Sequence, residues 1–127
     1  MRVLVVTESD ACCGPMAAAF LNDYSTSMEA VSAGCHPAQS VDALAVAVMR
    51  ECFADLSGYR PQGLQSLDPA DFDAVYECPE GTCPATLEEA RGLRDYIKNE
   101  AYLFFLQVAS HIKKPSRKRN GFLLGLK

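Results

Sequence analysis

VLVVTESDACCGPMA, residues 3–17, is the stretch of sequence that decides the fold. Its first four residues form an uninterrupted apolar run, mostly β-branched, which is typical of a buried parallel strand. A polar loop follows, and Pro15 is well placed for the first turn of a helix. The stretch therefore predicts a strand, a short loop and a helix, which together are the opening of a β-α-β unit.

The rest of the chain continues this alternation. Apolar residues at helical spacing predict helices over residues 40–54 and from 86 to about 111. Strands are predicted at 29–32 and 72–77, with a short helix or turn over 64–71. The pattern predicts an α/β fold, a small three-layer sandwich with a three- or four-stranded parallel sheet and helices on both faces.

Length and charge indicate one acidic domain followed by a basic tail. The 127 residues suit a single domain, expected over residues 1–112. These residues hold all 16 acidic side chains, whereas residues 113–127 hold 6 of the 12 basic ones. Two interpretations of the tail stay open: an arm for nucleic acid or anionic lipid, or a segment that folds back on the acidic body. No apolar run reaches the roughly 18 residues that span a bilayer, so a cytoplasmic protein with reduced cysteines is expected.

Most of the cysteines fall at one edge of the predicted sheet. In parallel sheets the ligand site lies beyond the carboxyl ends of the strands, here residues 7–15, 33–37 and 78–84. These segments contain Cys12, Cys13, Cys35, Cys78 and Cys83. Only Cys52 lies elsewhere, at a core-facing position of the second predicted helix. Two closely spaced pairs on one rim favour a function over simple filling of the core.

Two kinds of chemistry suit this group of cysteines. Cys12 and Cys13 lie near a helix N-terminus, which lowers the pKa of a thiol and favours thiol–disulfide exchange. Thiolates and imidazole also suit zinc or an iron–sulfur centre. The candidate metal ligands are Cys12, Cys13, Cys35, His36, Cys78 and Cys83. Exchange chemistry requires no cofactor, so both possibilities stay open.

The order of these motifs resembles the low-molecular-weight tyrosine phosphatases and their thioredoxin-coupled arsenate reductase relatives. Those proteins open with a strand and C-x5-R-[ST], often followed by Pro-Met-Ala, which is similar to residues 7–17 here. Further similar segments are Ser-Ala-Gly at 32–34, Asp-Leu-Ser at 55–57, Phe-Asp-Ala-Val at 72–75 and Arg-Asp-Tyr-Ile-Lys at 94–98. The resemblance covers roughly residues 2–110 and implies the phosphatase fold.

The catalytic loop departs from the pattern of that family. The resemblance puts Thr7 at the position of the nucleophilic cysteine, Cys13 at that of the oxyanion-clamping arginine, and Gly14 at that of the supporting Ser/Thr. A hydroxyl without a neighbouring base is a far weaker nucleophile than a thiolate. Glu8 and Asp10 also bring negative charge into a loop that should cradle an anion. The degenerate loop comprises Thr7, Glu8, Ser9, Asp10, Ala11 and Gly14, and ordinary tyrosine phosphatase activity is not expected.

Residual thiol chemistry is the leading prediction. Cys78 and Cys83 resemble the two resolving cysteines of the arsenate reductases. Cys12 or Cys13 is then the expected reactive thiol, Cys78 with Cys83 the exchange pair, and a protein such as a thioredoxin the implied partner. Two alternatives are a metal or iron–sulfur protein that uses the same cysteines, and a non-catalytic pseudophosphatase that serves as a binding module.

Overall fold

The computed structural model describes residues 1–52, 54–78 and 83–112. Its elements are, in order, β1 (Arg2–Thr7), α1 (Cys13–Tyr24), β2 (Glu29–Gly34), α2 (Ala43–Arg50), β3 (Ala74–Glu77) and α3 (Leu87–Ile112). Two single turns of 3-10 helix, Leu64–Ser66 and Pro69–Asp71, lie between α2 and β3 where a short helix or turn was expected. The basic tail predicted at 113–127 lies outside the described residues.

The three described strands form one parallel sheet in the order β2-β1-β3. The central position of β1 explains its continuous apolar run, because a central strand of a parallel sheet is covered on both faces. Val3 and Val5 are fully buried, and Leu4, which points to the opposite face, is 5% exposed. This arrangement confirms the predicted α/β fold with a parallel sheet, and the strand count is the smaller of the two expected.

Helices α1 and α3 pack together on one face of the sheet. Met16, Leu21 and Ile97 are fully buried between them and the strands. The ring of Tyr76 in β3 lies 4.8 Å from that of Phe104, which places α3 over the same face. None of the helices in the described ranges is both long and apolar enough to cross a membrane.

Helix α2 is shorter than the expected span of 40–54. It begins at Ala43 because the Asp42 carboxylate accepts hydrogen bonds from the first amides of the helix. It ends at Arg50, and the Cys52 amide donates to Met49 O in the turn that follows. The expectation that Cys52 occupies a core-facing helical position is therefore wrong, and its side chain is half-buried in a turn.

Candidate functional site

The loop between β1 and α1 is held in place by the segment that follows β2. The carbonyls of Thr7, Glu8, Ser9 and Ala11 accept hydrogen bonds of 2.7–3.0 Å from the amides of Cys35, His36, Ala38 and Asp42 respectively. Gly34 permits this approach, since a Cβ atom there would lie 2.9 Å from backbone atoms of the loop. The first two segments of the predicted rim are therefore in direct contact.

Thr7, which the resemblance puts at the nucleophile position, has a structural role in this loop. It is 6% exposed, and its Oγ1 atom accepts a hydrogen bond of 3.0 Å from the amide of Asp10. Asp10 has a φ of 54°, a left-handed conformation that aspartate tolerates better than most residues. The Thr7 hydroxyl thus stabilises a tight turn and is not presented to solvent.

Asp10 is fully buried, which the sequence did not reveal. Its Oδ2 atom accepts hydrogen bonds from Tyr59 Oη at 2.5 Å and from the amide of Gln62 at 2.9 Å. Its Oδ1 atom is buried with no hydrogen-bond partner among the described residues. Burial raises the pKa of Asp10, although the bonds from Tyr59 and Gln62 oppose that effect. The carboxylate therefore ties the loop to residues 59–62, about fifty positions away, where no local signal points to it.

Gly14 makes room for this buried carboxylate. A Cβ atom at Gly14 would lie 3.1 Å from Asp10 Oδ1 and 3.2 Å from Thr7 Oγ1. Both contacts are tighter than those of ordinary Cβ atoms, so a side chain here would displace its neighbours. The missing side chain of Gly14, which the resemblance puts at the position of the supporting Ser/Thr, thus leaves the space that the Asp10 carboxylate and the Thr7 hydroxyl occupy.

A close sulfur–sulfur contact at the site joins two cysteines from distant parts of the chain. The Sγ atom of Cys83, in the segment before α3, lies 2.7 Å from the Sγ atom of Cys12 at the start of α1. Cys12 is 4% exposed, whereas Cys83 is half-buried. Cys83 is therefore the member of this sulfur pair that is the more accessible to a reagent.

Cys13 and Cys78 lie in the same apolar cluster as Cys12. They are 5% and 6% exposed, and Cys83 packs against the cluster at its edge. Both thiols add to the effect of burial in raising the pKa of Tyr76, whose buried hydroxyl has no hydrogen-bond partner in the part of the chain that the structure describes. All four cysteines of the predicted exchange site are thus gathered in one region.

The prediction that the helix N-terminus lowers the pKa of the Cys12 thiol is wrong. The hydrogen bond with Cys13 raises the pKa of the Cys12 thiol, burial raises it further, and the contact with Cys83 only partly opposes them. The neighbouring thiol and the apolar surroundings outweigh any attraction of the helix end for a thiolate. Cys12 is therefore a protonated, buried thiol at neutral pH.

Cys35 and His36 lie at the protein surface and not in the buried thiol cluster. Cys35 is exposed, and His36 Nδ1 lies 2.5 Å from Glu8 Oε2 on the surface of the rim. Within residues 1–52, 54–78 and 83–112, no three His, Cys, Asp or Glu side chains are arranged to hold a metal ion. The six candidate metal ligands thus do not form a metal site within this part of the chain.

A comparison with protein families assigns the chain. The family model described as low molecular weight phosphotyrosine protein phosphatase matches residues 2–117. The chain belongs to this phosphatase family. The membership agrees with the resemblance seen in the order of the sequence motifs.

Solved structures of this phosphatase fold match nearly the whole chain. An arsenate reductase in a phosphate-binding state is 20% identical with a TM-score of 0.75, over 84% of this chain and 97% of that one. The low molecular weight phosphatase of T. tengcongensis is 22% identical with a TM-score of 0.73, over 84% and 99%. The arsenate reductase of Archaeoglobus fulgidus is 18% identical with a TM-score of 0.69, over 83% and 98%. At these identities the likeness shows the fold alone, and no curated protein matches the sequence.

Proposed function

We propose that this phosphatase-family protein performs thiol–disulfide exchange through Cys12 and Cys83 instead of phosphate ester hydrolysis. The observation that carries the proposal is the 2.7 Å separation of the two sulfur atoms. A disulfide bond is about 2.05 Å long, so its formation from this geometry requires a displacement of roughly 0.7 Å. Proximity of this kind turns a bimolecular reaction into an intramolecular one.

The surroundings of the two thiols support a division of roles. Cys83 is the more exposed, so it is the thiol that attacks an external disulfide, R–S–S–R. This step forms a Cys83–S–S–R bond and releases one R–S⁻. Cys12 then attacks the Cys83 sulfur atom, forms the Cys12–Cys83 disulfide and releases the second R–S⁻. The two released thiolates take up the protons of the two cysteines, so two protein thiols are oxidised and one disulfide is reduced to two thiols.

The raised pKa of Cys12 keeps this thiol protonated and inert toward oxidants in the solvent, since the thiolate is the nucleophile. In the second step Cys12 must lose its proton as it attacks the mixed disulfide on Cys83, so we expect this step to be the slower of the two. This division differs from the sequence-based assignment, in which Cys12 or Cys13 reacts first and Cys78 pairs with Cys83. A thioredoxin-like dithiol is the class of partner that returns the oxidised pair to thiols.

The loss of phosphatase chemistry is supported by the contacts of the loop. The Thr7 hydroxyl is buried and bound to the amide of Asp10, so it is a poor substitute for a thiolate nucleophile. Cys13 has no charge with which to clamp a dianion where the family carries arginine. These features also favour the second candidate, a non-catalytic pseudophosphatase that keeps the fold as a binding module, which applies if the thiol pair proves unreactive.

Disulfide mapping tests the proposal. The reduced protein is treated with a modest excess of bis(2-hydroxyethyl) disulfide, the remaining thiols are blocked, and cross-linked peptides are identified by mass spectrometry. We expect a Cys12–Cys83 disulfide with the loss of two thiols, and a trapped mixed disulfide on Cys83 in the Cys12→Ser variant. Cys52→Ser, a substitution outside the thiol cluster, is the matched control and should leave the product unchanged.

Three outcomes would contradict this assignment. A Cys78–Cys83 disulfide as the main product would return the exchange pair to the one inferred from sequence. Hydrolysis of an aryl phosphate that survives Cys12→Ser and Cys13→Ser would mean that the loop retains phosphatase chemistry. Stoichiometric zinc or iron in protein purified without oxygen, lost on Cys12→Ser and Cys83→Ser, would instead favour the metal-binding alternative.

A further inference from the structure

The charged side chains next to Cys83 are acidic. Glu77 ends β3 immediately before Cys78, and Glu88 and Glu89 lie in the first turn of α3, which follows Cys83. All three carboxylates belong to exposed residues. The Glu89 carboxylate accepts a hydrogen bond of 3.0 Å from the amide of Ala85, which keeps it close to the segment that carries Cys83.

Acidic side chains also flank the other member of the pair. Asp42 donates its amide to the carbonyl of Ala11, the residue that precedes Cys12. Glu8 lies in the same loop and is exposed, with His36 at its carboxylate. Acidic residues are therefore found in the segments that adjoin both Cys12 and Cys83.

The nearby basic side chains on α3 are already engaged. Arg91 and Arg94 both contact the carboxylate of Glu51, at 2.7 Å and 2.6 Å. Arg60 lies outside α3, next to Tyr59, whose hydroxyl contacts Asp10 and Ser32. In addition, residues 1–112 contain 16 acidic against 6 basic side chains, so the field of the whole domain has the same sign as that of the rim.

From this charge distribution we infer that the Cys12–Cys83 pair selects cationic or neutral disulfides and discriminates against anionic ones. The inference rests on the exchange function proposed above and adds its substrate class. Carboxylates in the segments next to Cys83 raise the local concentration of a cationic disulfide and lower that of an anionic one, an effect whose range is about 8 Å, the Debye length at physiological ionic strength. The carboxylates also stabilise a cationic group and destabilise an anionic one in the mixed disulfide, in which half of the substrate remains on Cys83.

Three small disulfides of different charge provide the test. Rates of formation of the Cys12–Cys83 disulfide are measured with dicationic cystamine, neutral bis(2-hydroxyethyl) disulfide and dianionic dithiodiglycolate. Each rate is divided by that of dithiothreitol with the same reagent, which removes intrinsic differences between the disulfides. We expect cystamine to exceed dithiodiglycolate by about tenfold at low salt, with the ratio approaching one in about 0.5 M salt because screening removes the field.

Charge-neutralising variants locate the effect. Glu88→Gln with Glu89→Gln should lower the ratio to about threefold, because two carboxylates next to Cys83 are lost while the glutamine at 89 can still accept the Ala85 amide. The matched control is Asp23→Asn with Glu29→Gln. These exposed residues lie at the last turn of α1 and the start of β2, and their loss removes the same charge from the opposite end of the sheet. The control should leave the ratio unchanged.

The outcomes separate this inference from the exchange function. If the neutral disulfide oxidises the pair but the charged reagents show equal normalised rates, or a ratio that salt does not change, the inference is overturned and the exchange function stands. An equal fall of the ratio in the test and control variants would overturn the role of the rim carboxylates. If no reagent oxidises the pair, both proposals fail.

Discussion

Replacing Asp10 by asparagine tests the energetic consequence of burying an acidic side chain in this loop. The carboxylate is fully buried, and burial raises its pKa above the ordinary value of 3.8. A group whose pKa is raised by folding contributes its full stability below the unfolded-state pKa and loses it as pH rises through the folded-state pKa. Ionised Asp10 therefore lowers the free energy of unfolding at neutral pH, and Asp10→Asn removes that loss.

The size of the effect follows from the contacts of the two carboxylate oxygens. Oδ1 has no donor among the described residues, and such a buried acceptor costs about 1–3 kcal/mol. Asparagine replaces the charged group that contains this partnerless oxygen by a neutral amide, while its carbonyl oxygen still accepts from Tyr59 and Gln62. Those two bonds weaken when the acceptor loses its charge, which offsets part of the gain. We expect Asp10→Asn to be more stable by about 1 kcal/mol at pH 7.

Urea denaturation of both proteins at pH 7 and at pH 4 measures this difference. The advantage of the variant should shrink at pH 4, because wild-type Asp10 takes up its proton more readily in the folded state. Asp68→Asn, which changes an exposed carboxylate that caps a 3-10 turn, is the control and should shift stability by less than about 0.5 kcal/mol at either pH. A variant less stable than wild type by about 1 kcal/mol at pH 7 would mean that the hydrogen bonds of Tyr59 and Gln62 to a charged acceptor outweigh burial, and would refute the reasoning.

Three further substitutions test one steric contact at the site and the ion pairs of Glu51 with α3. Gly14→Ala should lower the free energy of unfolding by about 1–3 kcal/mol because the added Cβ atom meets the Asp10 carboxylate. The control Gly92→Ala, in open space on α3, should raise the free energy of unfolding by about 0.5–1 kcal/mol. Equal effects of the two substitutions in thermal denaturation would refute the steric argument. Hydrogen bonds from Arg91, the larger effect, and from Arg94 lower the pKa of Glu51 to about 2. The stability that this carboxylate contributes is therefore present above its unfolded-state pKa of about 4.5 and is lost as pH falls toward 2. Glu51→Gln should therefore flatten the acid limb of the stability curve, less so in high salt, and an unchanged limb in acid titration would show that the exposed ion pairs contribute nothing.

Local patterns were sufficient to predict the elements of the fold. Each of these patterns depends on neighbours within a few positions, so it can be recognised in the sequence alone. Examples are the β-branched run of β1, the helical spacing in α3 and the turn residues between them. The third strand, expected from residue 72, begins at Ala74, and α2 is shorter than its apolar spacing suggested because Asp42 caps it. Such errors at element ends arise because capping depends on one side chain rather than on periodicity.

The sequence by itself determined that strands and helices alternate and that five cysteines follow the carboxyl ends of strands. Only the tertiary structure decided which thiols meet and what Asp10 does. The contact between Cys12 and Cys83 joins residues separated by 71 positions, and Asp10 meets Tyr59 over 49. Contacts of this kind depend on how α1, α3 and the loops dock on the sheet, and no periodicity within either segment encodes that docking.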